Sequence, residues 1–214
     1  MTKLYLVRHG ETGWNRRGLY QGTTDVPLSA AGRAQAETLA AALREVAFDA
    51  GYTSPLRRAR ETAETVLRGR GVPLAETTEL RELSYGLWQG RGMEPAGRCS
   101  PGLEWRWRED PWRVRFPGGE TLEEVRARAA AALERIVAAH PGETVLVSGH
   151  GHLNRVLLIH ALGWPRERFW EIEQPNACCW RLELGTTPCH SGRGAVLRTQ
   201  AGPVGSAGDR QRAP

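Results

Sequence analysis

Short apolar runs alternate with longer amphipathic stretches along most of the chain. Residues 3–8 and 144–148 are brief apolar runs, which is typical of strands buried inside a sheet. Residues 48–53 and 177–184 also have the character of strands, and residues 72–78 predict a short strand or an extended segment. The strands are therefore short and widely spaced along the chain.

Helices are predicted between these strands. They cover 29–46, Ser54-Pro55 to about Arg68, Thr121 to about Ala139, and 152–162. Ser29 is a suitable N-cap for the first helix. Thr121 and Glu124 form a T-x-x-E capping box at the start of the third. Residues 84–118, rich in Gly, Pro, Trp and Arg, predict a long excursion with one short helix near 102–110.

The alternation of strands and helices predicts an α/β fold. We expect a three-layer α/β/α sandwich with a mostly parallel central sheet. The 214 residues are enough for one domain with a sizeable core, which we assign to 1–199. Residues 200–214 are dominated by Gly, Pro, Ser, Ala and Arg, and they predict a disordered tail.

The charge distribution argues against a nucleic-acid partner. The chain carries a net charge of +5, but +3 of it falls in residues 185–214. The rest of the chain is nearly balanced, unlike a basic nucleic-acid-binding face. No apolar run reaches membrane-spanning length, and the first residues lack a signal-peptide layout. We therefore expect neither a nucleic acid nor a membrane as partner, and the sequence leaves the oligomeric state open.

The cysteine pattern favours reduced thiols. The four cysteines are Cys99, Cys178, Cys179 and Cys189, and they contain no C-x-x-C spacing. A chain of this size has no need of a disulfide framework. We therefore expect a cytoplasmic protein.

Charged and imidazole side chains directly follow three of the predicted strands. They are Arg8-His9-Gly10, Arg57-Arg58 and His150-Gly151. Ligands in open parallel sheets bind beyond the carboxyl ends of the strands. The three strand ends are therefore expected to bring two imidazoles and two guanidiniums to one edge, where they would suit a phosphoryl dianion.

Five segments extend this pattern in a fixed order. They are Arg8-His9-Gly10-Glu11-Thr12 with Asn15, Ser54-Pro55-Leu56-Arg57-Arg58-Ala59, Glu82-Leu83-Ser84-Tyr85-Gly86-Leu87-Trp88-Gln89-Gly90, Gly118-Gly119-Glu120-Thr121, and His150-Gly151 with Arg155. The set resembles the motifs of the histidine phosphatase (phosphoglycerate mutase-like) family over roughly residues 3–184. The sequence departs from the family at Gly149, where serine is common, and at Gln89, where glutamate is common.

The resemblance implies a two-step hydrolysis of a small phosphomonoester without a metal or an organic cofactor. His9 would be the nucleophile, with a ring nitrogen held by a hydrogen bond. Arg8, Arg58 and His150 would neutralise the phosphoryl oxygens. Glu82 would be the general acid and then the general base, for which we expect a raised pKa.

Secondary contacts are predicted around this centre. Substrate or phosphate contacts are assigned to Asn15, Gln21, Gly22 and Gly151. The choice of Arg58 over Arg57 follows the family register alone. Gly10 is expected to let the backbone approach the phosphate closely.

Several alternatives remain open on the sequence alone. A metal pair of His150 and His152 has a poor spacing, and no cluster completes it. The tryptophans and arginines of 84–118 form either an arginine-rich roof that selects acidic substrates or a small satellite core with solvated arginines. The rival functions are a cofactor-dependent phosphoglycerate mutase and a non-catalytic phosphate-binding or scaffold protein.

Overall fold

The computed structural model describes residues 1–93, 96, 98 and 100–185, and the backbone of 196–198. The predicted tail, residues 200–214, lies outside the described residues.

Six strands in the described part form one mixed sheet. They are β1 (Thr2–Arg8), β2 (Ala50–Thr53), β3 (Leu74–Glu76), β4 (Thr144–Gly149), β5 (Cys179–Leu184) and β6 (Val196–Arg198). Their spatial order is β3-β2-β4-β1-β5-β6. The first four in that order are mutually parallel, whereas β5 and β6 add an antiparallel edge. The predicted mostly parallel sheet is confirmed.

Six α-helices are described in full. They are α1 (Gly13–Arg16), α2 (Ala30–Ala42), α3 (Arg57–Leu67), α4 (Leu103–Glu109), α5 (Leu122–Ala139) and α6 (Gly151–Leu162). Short 3-10 helices lie at Thr78–Leu80, Gly86–Trp88, Pro111–Arg113 and Arg166–Trp170. Both predicted caps are present: the Ser29 hydroxyl accepts a hydrogen bond from the Gly32 N–H, and Thr121 and Glu124 form a reciprocal capping box.

Side chains of alternate strand residues enter two cores, one on each face of the sheet. Leu4 and Leu6 of β1 belong to the core that contains residues of α5 and α6. Tyr5 and Val7 belong to the core that contains residues of α2 and α3. This two-residue period is the geometry of a pleated strand covered on both sides. The three-layer sandwich predicted from the sequence is therefore confirmed.

Two predicted boundaries were wrong. The helix predicted over 29–46 ends at Ala42. In the turn that follows Ala42, the Arg70 guanidinium donates to the carbonyls of Leu43 and Val46. The helix predicted from Ser54 begins at Arg57, because the Ser54 N–H continues the ladder to the Ser148 carbonyl.

The excursion between Glu82 and Gly118 is built around buried aromatic rings. Trp88, Trp107 and Phe116 are at most 4% exposed and belong to the core beneath α5 and α6. Its arginines lie on the surface, where Arg108 and Arg115 pair with Glu104 and Glu124. The arginines are therefore solvated, as the satellite-core interpretation expected, but the buried rings join the main core and do not form a separate cluster. Besides the predicted short helix, the segment has helical backbone at residues 93, 96 and 98.

Among the described residues, each helix is too short or too polar to span a membrane.

Candidate active site

His9 directly follows the carboxyl end of β1. Its backbone N–H donates to the Gly149 carbonyl, and its ring is only 3% exposed. The Nδ1 atom lies 2.7 Å from the Gly10 carbonyl oxygen, so Nδ1 is the protonated donor and Nε2 keeps its lone pair. The sequence prediction of a ring fixed by a hydrogen bond is met by this contact.

Gly10 is needed for helix packing. A Cβ atom at this position would lie 2.3 Å from the Gly32 carbonyl oxygen at the start of α2. The Gly10 N–H donates to the Thr62 hydroxyl of α3. The backbone of Gly10 therefore faces its neighbouring helices, which gives this glycine a packing role in addition to the close approach to a phosphate expected from the sequence.

Arg58 is the fully buried arginine of the first turn of α3. Its terminal nitrogens donate to the Thr24 carbonyl at 2.8 Å and the Gly22 carbonyl at 2.7 Å. Gln89 holds the same loop, since its Oε1 atom accepts hydrogen bonds from the N–H and hydroxyl of Thr23. The side chain of Arg57 is instead 51% exposed and pairs with Glu61. The family register therefore points to the buried arginine.

His150 lies behind His9. It is the N-cap residue of α6, and its ring centroid is 5.2 Å from that of His9, at an interplanar angle of 62°. The side chain is fully buried and does not line the cavity described below. Neither ring nitrogen has a hydrogen-bond partner within the described part of the chain. Buried polar atoms without partners are unusual, and at a candidate site they mark positions that a ligand atom can satisfy.

Glu82 caps α6 from a separate segment of the chain. One carboxylate oxygen accepts from the backbone N–H groups of Leu83 and Leu153, at 2.9 and 3.1 Å, and the other from that of His152, at 3.1 Å. His150, the N-cap by position, makes no side-chain capping bond. The carboxylate thus satisfies N–H groups that a helix leaves free at its start.

The environment lowers the pKa of Glu82. Burial by itself raises it, but the interaction with His152 and the N–H of Leu83 outweigh burial, so that the pKa lies well below its usual value. Hydrogen bonds to a carboxylate favour the charged form. The raised pKa expected from the sequence was therefore wrong in direction.

The imidazoles of the site are held neutral. Burial lowers the pKa of His9 well below its ordinary value, and the nearby charges of Arg58, His150 and Arg8 add to this. Burial and the charge of Arg58 likewise lower the pKa of His150. Burial lowers the pKa of Arg58 only to about 10, so its charge persists at neutral pH. The centre therefore combines neutral imidazoles with a guanidinium cation.

A cavity of about 100 Å³ joins most of the predicted site residues. The lining includes Arg8, His9, Asn15, Gln21, Gly22, Arg58, Glu82 and Gly151. Arg8 is anchored by a bond to the Gln174 carbonyl, while its buried Nε has no partner among the described residues. Gln21 accepts a hydrogen bond from the Thr12 hydroxyl, and Asn15 completes the capping box of α1. Both polar side chains are therefore positioned by local bonds.

Three further residues line the same cavity and were not predicted as site residues: Tyr85, His152 and Arg155. Tyr85 and Arg155 lie within the quoted motifs, and His152 was considered only as a metal ligand. For Arg155 a signal was available in the i, i+4 spacing from Gly151, which places both residues on one face of a helix. Elsewhere among the described residues, no group of three or more His, Cys, Asp or Glu side chains is placed to hold a metal ion.

Comparisons with known proteins agree with this geometry. Phosphoserine phosphatase 1 of Hydrogenobacter thermophilus is 36% identical over 177 residues, or 83% of this chain and 84% of the relative. The adenosylcobalamin/alpha-ribazole phosphatase of Salmonella typhimurium is 33% identical over 85% of this chain and 90% of its own length. The solved structure of YhfR from Bacillus stearothermophilus superimposes with a TM-score of 0.85 at 31% identity, covering 96% of this chain and 98% of that one.

The family model for the histidine phosphatase superfamily (branch 1) matches residues 4–191. This match covers most of the chain, and it spans the strand ends that carry His9, Arg58 and His150. The chain belongs to the histidine phosphatase superfamily, branch 1.

Proposed function

We propose that this protein is a phosphatase that hydrolyses small phosphomonoesters through a phosphohistidine at His9. The proposal is carried by one observation: a neutral His9 ring, with its Nδ1 bonded to the Gly10 carbonyl, shares a cavity with Arg8, Arg58 and Glu82. The relatives named above are phosphatases, which supports the same reaction class. The catalytic unit is assigned to residues 1–199.

In the first step, Nε2 of His9 attacks the phosphorus atom. The P–N bond forms while the bond from phosphorus to the alcohol oxygen breaks, and Glu82 donates a proton to that oxygen. Arg8 and Arg58 stabilise the charge on the phosphoryl oxygens. His150 stabilises the same oxygens through a hydrogen bond from its ring, whose nitrogens lack partners among the described residues.

In the second step, water attacks the phosphohistidine. The Glu82 carboxylate takes a proton from the water as the new P–O bond forms and the P–N bond breaks. Inorganic phosphate leaves, and the neutral His9 ring is restored. Asn15, Gln21, Gly22 and Gly151 surround the substrate from the loop and helix that line the cavity.

Two neighbouring arginines test the phosphate-binding role. Replacing Arg58 with Gln is expected to lower kcat/KM by about 100- to 1000-fold, the usual effect of removing one donor to a developing charge. Arg57→Gln is the matched control, because that side chain is 51% exposed and pairs with Glu61. Similar losses in both variants would contradict the assignment of Arg58.

A panel of phosphomonoesters tests the activity itself. Wild type should release phosphate and His9→Ala should not, although both fold. Assays of 3-phosphoglycerate with and without 2,3-bisphosphoglycerate separate hydrolysis from mutase activity, since a mutase would return the phosphoryl group to another hydroxyl. Turnover should persist in EDTA, because the guanidiniums supply the positive charge. A cytoplasmic location remains a prediction from the cysteine pattern.

A further inference from the structure

Arg155 places a second positive charge in the cavity. It lies on α6, four residues after Gly151, so their Cα atoms are about 6 Å apart along the helix axis. Long helical side chains point back towards the helix N-terminus. The guanidinium of Arg155 therefore extends towards the end of α6 at which Gly151 and Arg8 line the cavity.

The guanidinium is fixed in position, and the one carboxylate among the residues that line the cavity, Glu82, is held by backbone N–H groups instead. Its Nε donates to the Ile172 carbonyl at 2.9 Å, and the group lies over the rings of Phe169 and Trp170, 5.5 and 5.3 Å from their centroids. It forms no ion pair with any described residue. Burial lowers its pKa to about 10, so it is still a cation at neutral pH. A held, unpaired cation facing a cavity is a preorganised anion site.

Neighbouring side chains make the same wall rigid. The Tyr85 hydroxyl lies 2.7 Å from Nδ1 of His152, and the His152 ring stacks on Phe169 with an interplanar angle of 18°. The guanidinium of Arg155 lies over the same Phe169 ring. Tyr85, His152 and Arg155 are thus linked through Phe169 and line the cavity together with Arg8 and Arg58, which we assign to the phosphoryl group.

We propose that Arg155 binds a carboxylate on the alcohol portion of the substrate, so that the preferred substrates are small phosphorylated carboxylic acids. This inference rests on the proposed phosphatase function and names its substrate class. The planar fork of a guanidinium matches a carboxylate. The cavity holds roughly seven to ten water-sized groups, which suits a phosphoryl group joined to a three-carbon acid.

The test compares two substrates that differ at one group. 3-Phosphoglycerate ends in a carboxylate, and glycerol 3-phosphate carries a hydroxymethyl group in its place. Wild type is expected to favour 3-phosphoglycerate in kcat/KM. Arg155→Gln should lower that value by about 10- to 100-fold, the size of one charge-assisted hydrogen bond, while glycerol 3-phosphate turnover stays nearly unchanged. Arg155→Lys should give a smaller loss, again confined to the carboxylate.

Arg113→Gln is the control, because this arginine is 88% exposed and pairs with Asp110 on the surface. It should leave the ratio of the two kcat/KM values at the wild-type level. Equal kcat/KM values in wild type, or parallel losses for both substrates in Arg155→Gln, would overturn the inference. Hydrolysis of p-nitrophenyl phosphate by every Arg155 variant, with its loss in His9→Ala, would show that the proposed phosphatase function stands in either case.

Discussion

The carboxylate of Glu82 accepts a hydrogen bond of 3.1 Å from the backbone N–H of His152. The group that we propose to move a proton is therefore also the cap of the helix that begins beside His150. The capping bonds hold the carboxylate in position beside the cavity that it lines. A single side chain thus links the start of α6 to the chemistry.

Glu82→Gln separates these two roles. The variant keeps an oxygen that can accept from the helix N–H groups, but it cannot carry the proton. Hydrolysis of an alkyl phosphate should fall by about 100- to 10,000-fold. The rate of phosphoenzyme formation from p-nitrophenyl phosphate should fall much less, because its leaving group needs no proton. Burst kinetics on both substrates check this, and equal losses in the burst rate would count against Glu82 as the acid.

The same variant should be less stable than wild type. One oxygen is replaced by an NH2 group, which faces an N–H donor at the start of α6. We expect the free energy of unfolding to fall by about 1–2 kcal/mol, as when a helix cap is lost. Urea denaturation measures the change. Unaltered stability would show that the Glu82 bonds to His152 and Leu153 contribute little to folding.

The pKa shifts predict a mildly acidic optimum. Near neutral pH the free enzyme has an ionised Glu82 and a neutral His9. The proton that Glu82 donates must then arrive with the substrate, as the phosphate monoanion, whose pKa is about 6. We therefore expect kcat/KM for an alkyl phosphate to fall about tenfold per pH unit above roughly pH 6.

Below that pH, kcat/KM should hold until His9 becomes protonated, well under its ordinary pKa. Initial rates across about pH 4.5 to 8.5 give the profile. A profile that is flat or rising between pH 6 and 8 would mean that Glu82 is protonated in the free enzyme, contrary to the hydrogen bonds that it accepts.

Gly10→Ala tests the packing behind His9. The added methyl group would lie 2.3 Å from the Gly32 carbonyl oxygen, so α2 or the segment carrying His9 must shift. We expect a loss of about 1–3 kcal/mol in the free energy of unfolding, with a lower kcat. Gly13→Ala is the control, because a Cβ there has open space within 4 Å. Thermal denaturation of the two variants should differ clearly, and equal stabilities would contradict the close contact.

Gly149 and Asn154 form a coupled pair. A Cβ at residue 149 would lie 2.6 Å from Oδ1 of Asn154 and 2.8 Å from Cδ2 of Leu153, so the serine common in the family requires these side chains to shift. Gly149→Ser should cost about 1–3 kcal/mol in stability, and much of that loss should disappear when Asn154 is also changed to Ala. A double-mutant cycle by denaturation measures the coupling, and strict additivity would rule it out.

Most of the fold could be predicted from the segments with periodic hydrophobic patterns. The apolar run 3–8 and the capping box of Thr121 and Glu124 are local signals, and both were accurate. The end of α2 was not: the helix stops at Ala42, and Arg70, distant in sequence, donates to carbonyls of the turn that follows. The β6 strand was also missed, since residues 196–198 gave no strong strand signal within a Gly- and Arg-rich stretch.

The sequence identified the site residues from strand ends and motifs, but it did not reveal the environments of their side chains. The lowered pKa of Glu82 depends largely on His152, seventy residues away along the chain, which no local pattern reveals. The role of Gly10 likewise depends on how closely α2 approaches. Arg155 was visible in the H-G-x-x-x-R motif, yet only the folded cavity separates it from the surface arginines of the excursion.

The most direct test is to trap the phosphoenzyme. Wild type mixed rapidly with a phosphomonoester, quenched in alkali and digested should yield a peptide phosphorylated on His9. That modification should be labile in acid and absent from His9→Ala. Phosphate release without any such peptide, or a phosphoryl group found on another residue, would contradict His9 as the nucleophile and the mechanism built on it.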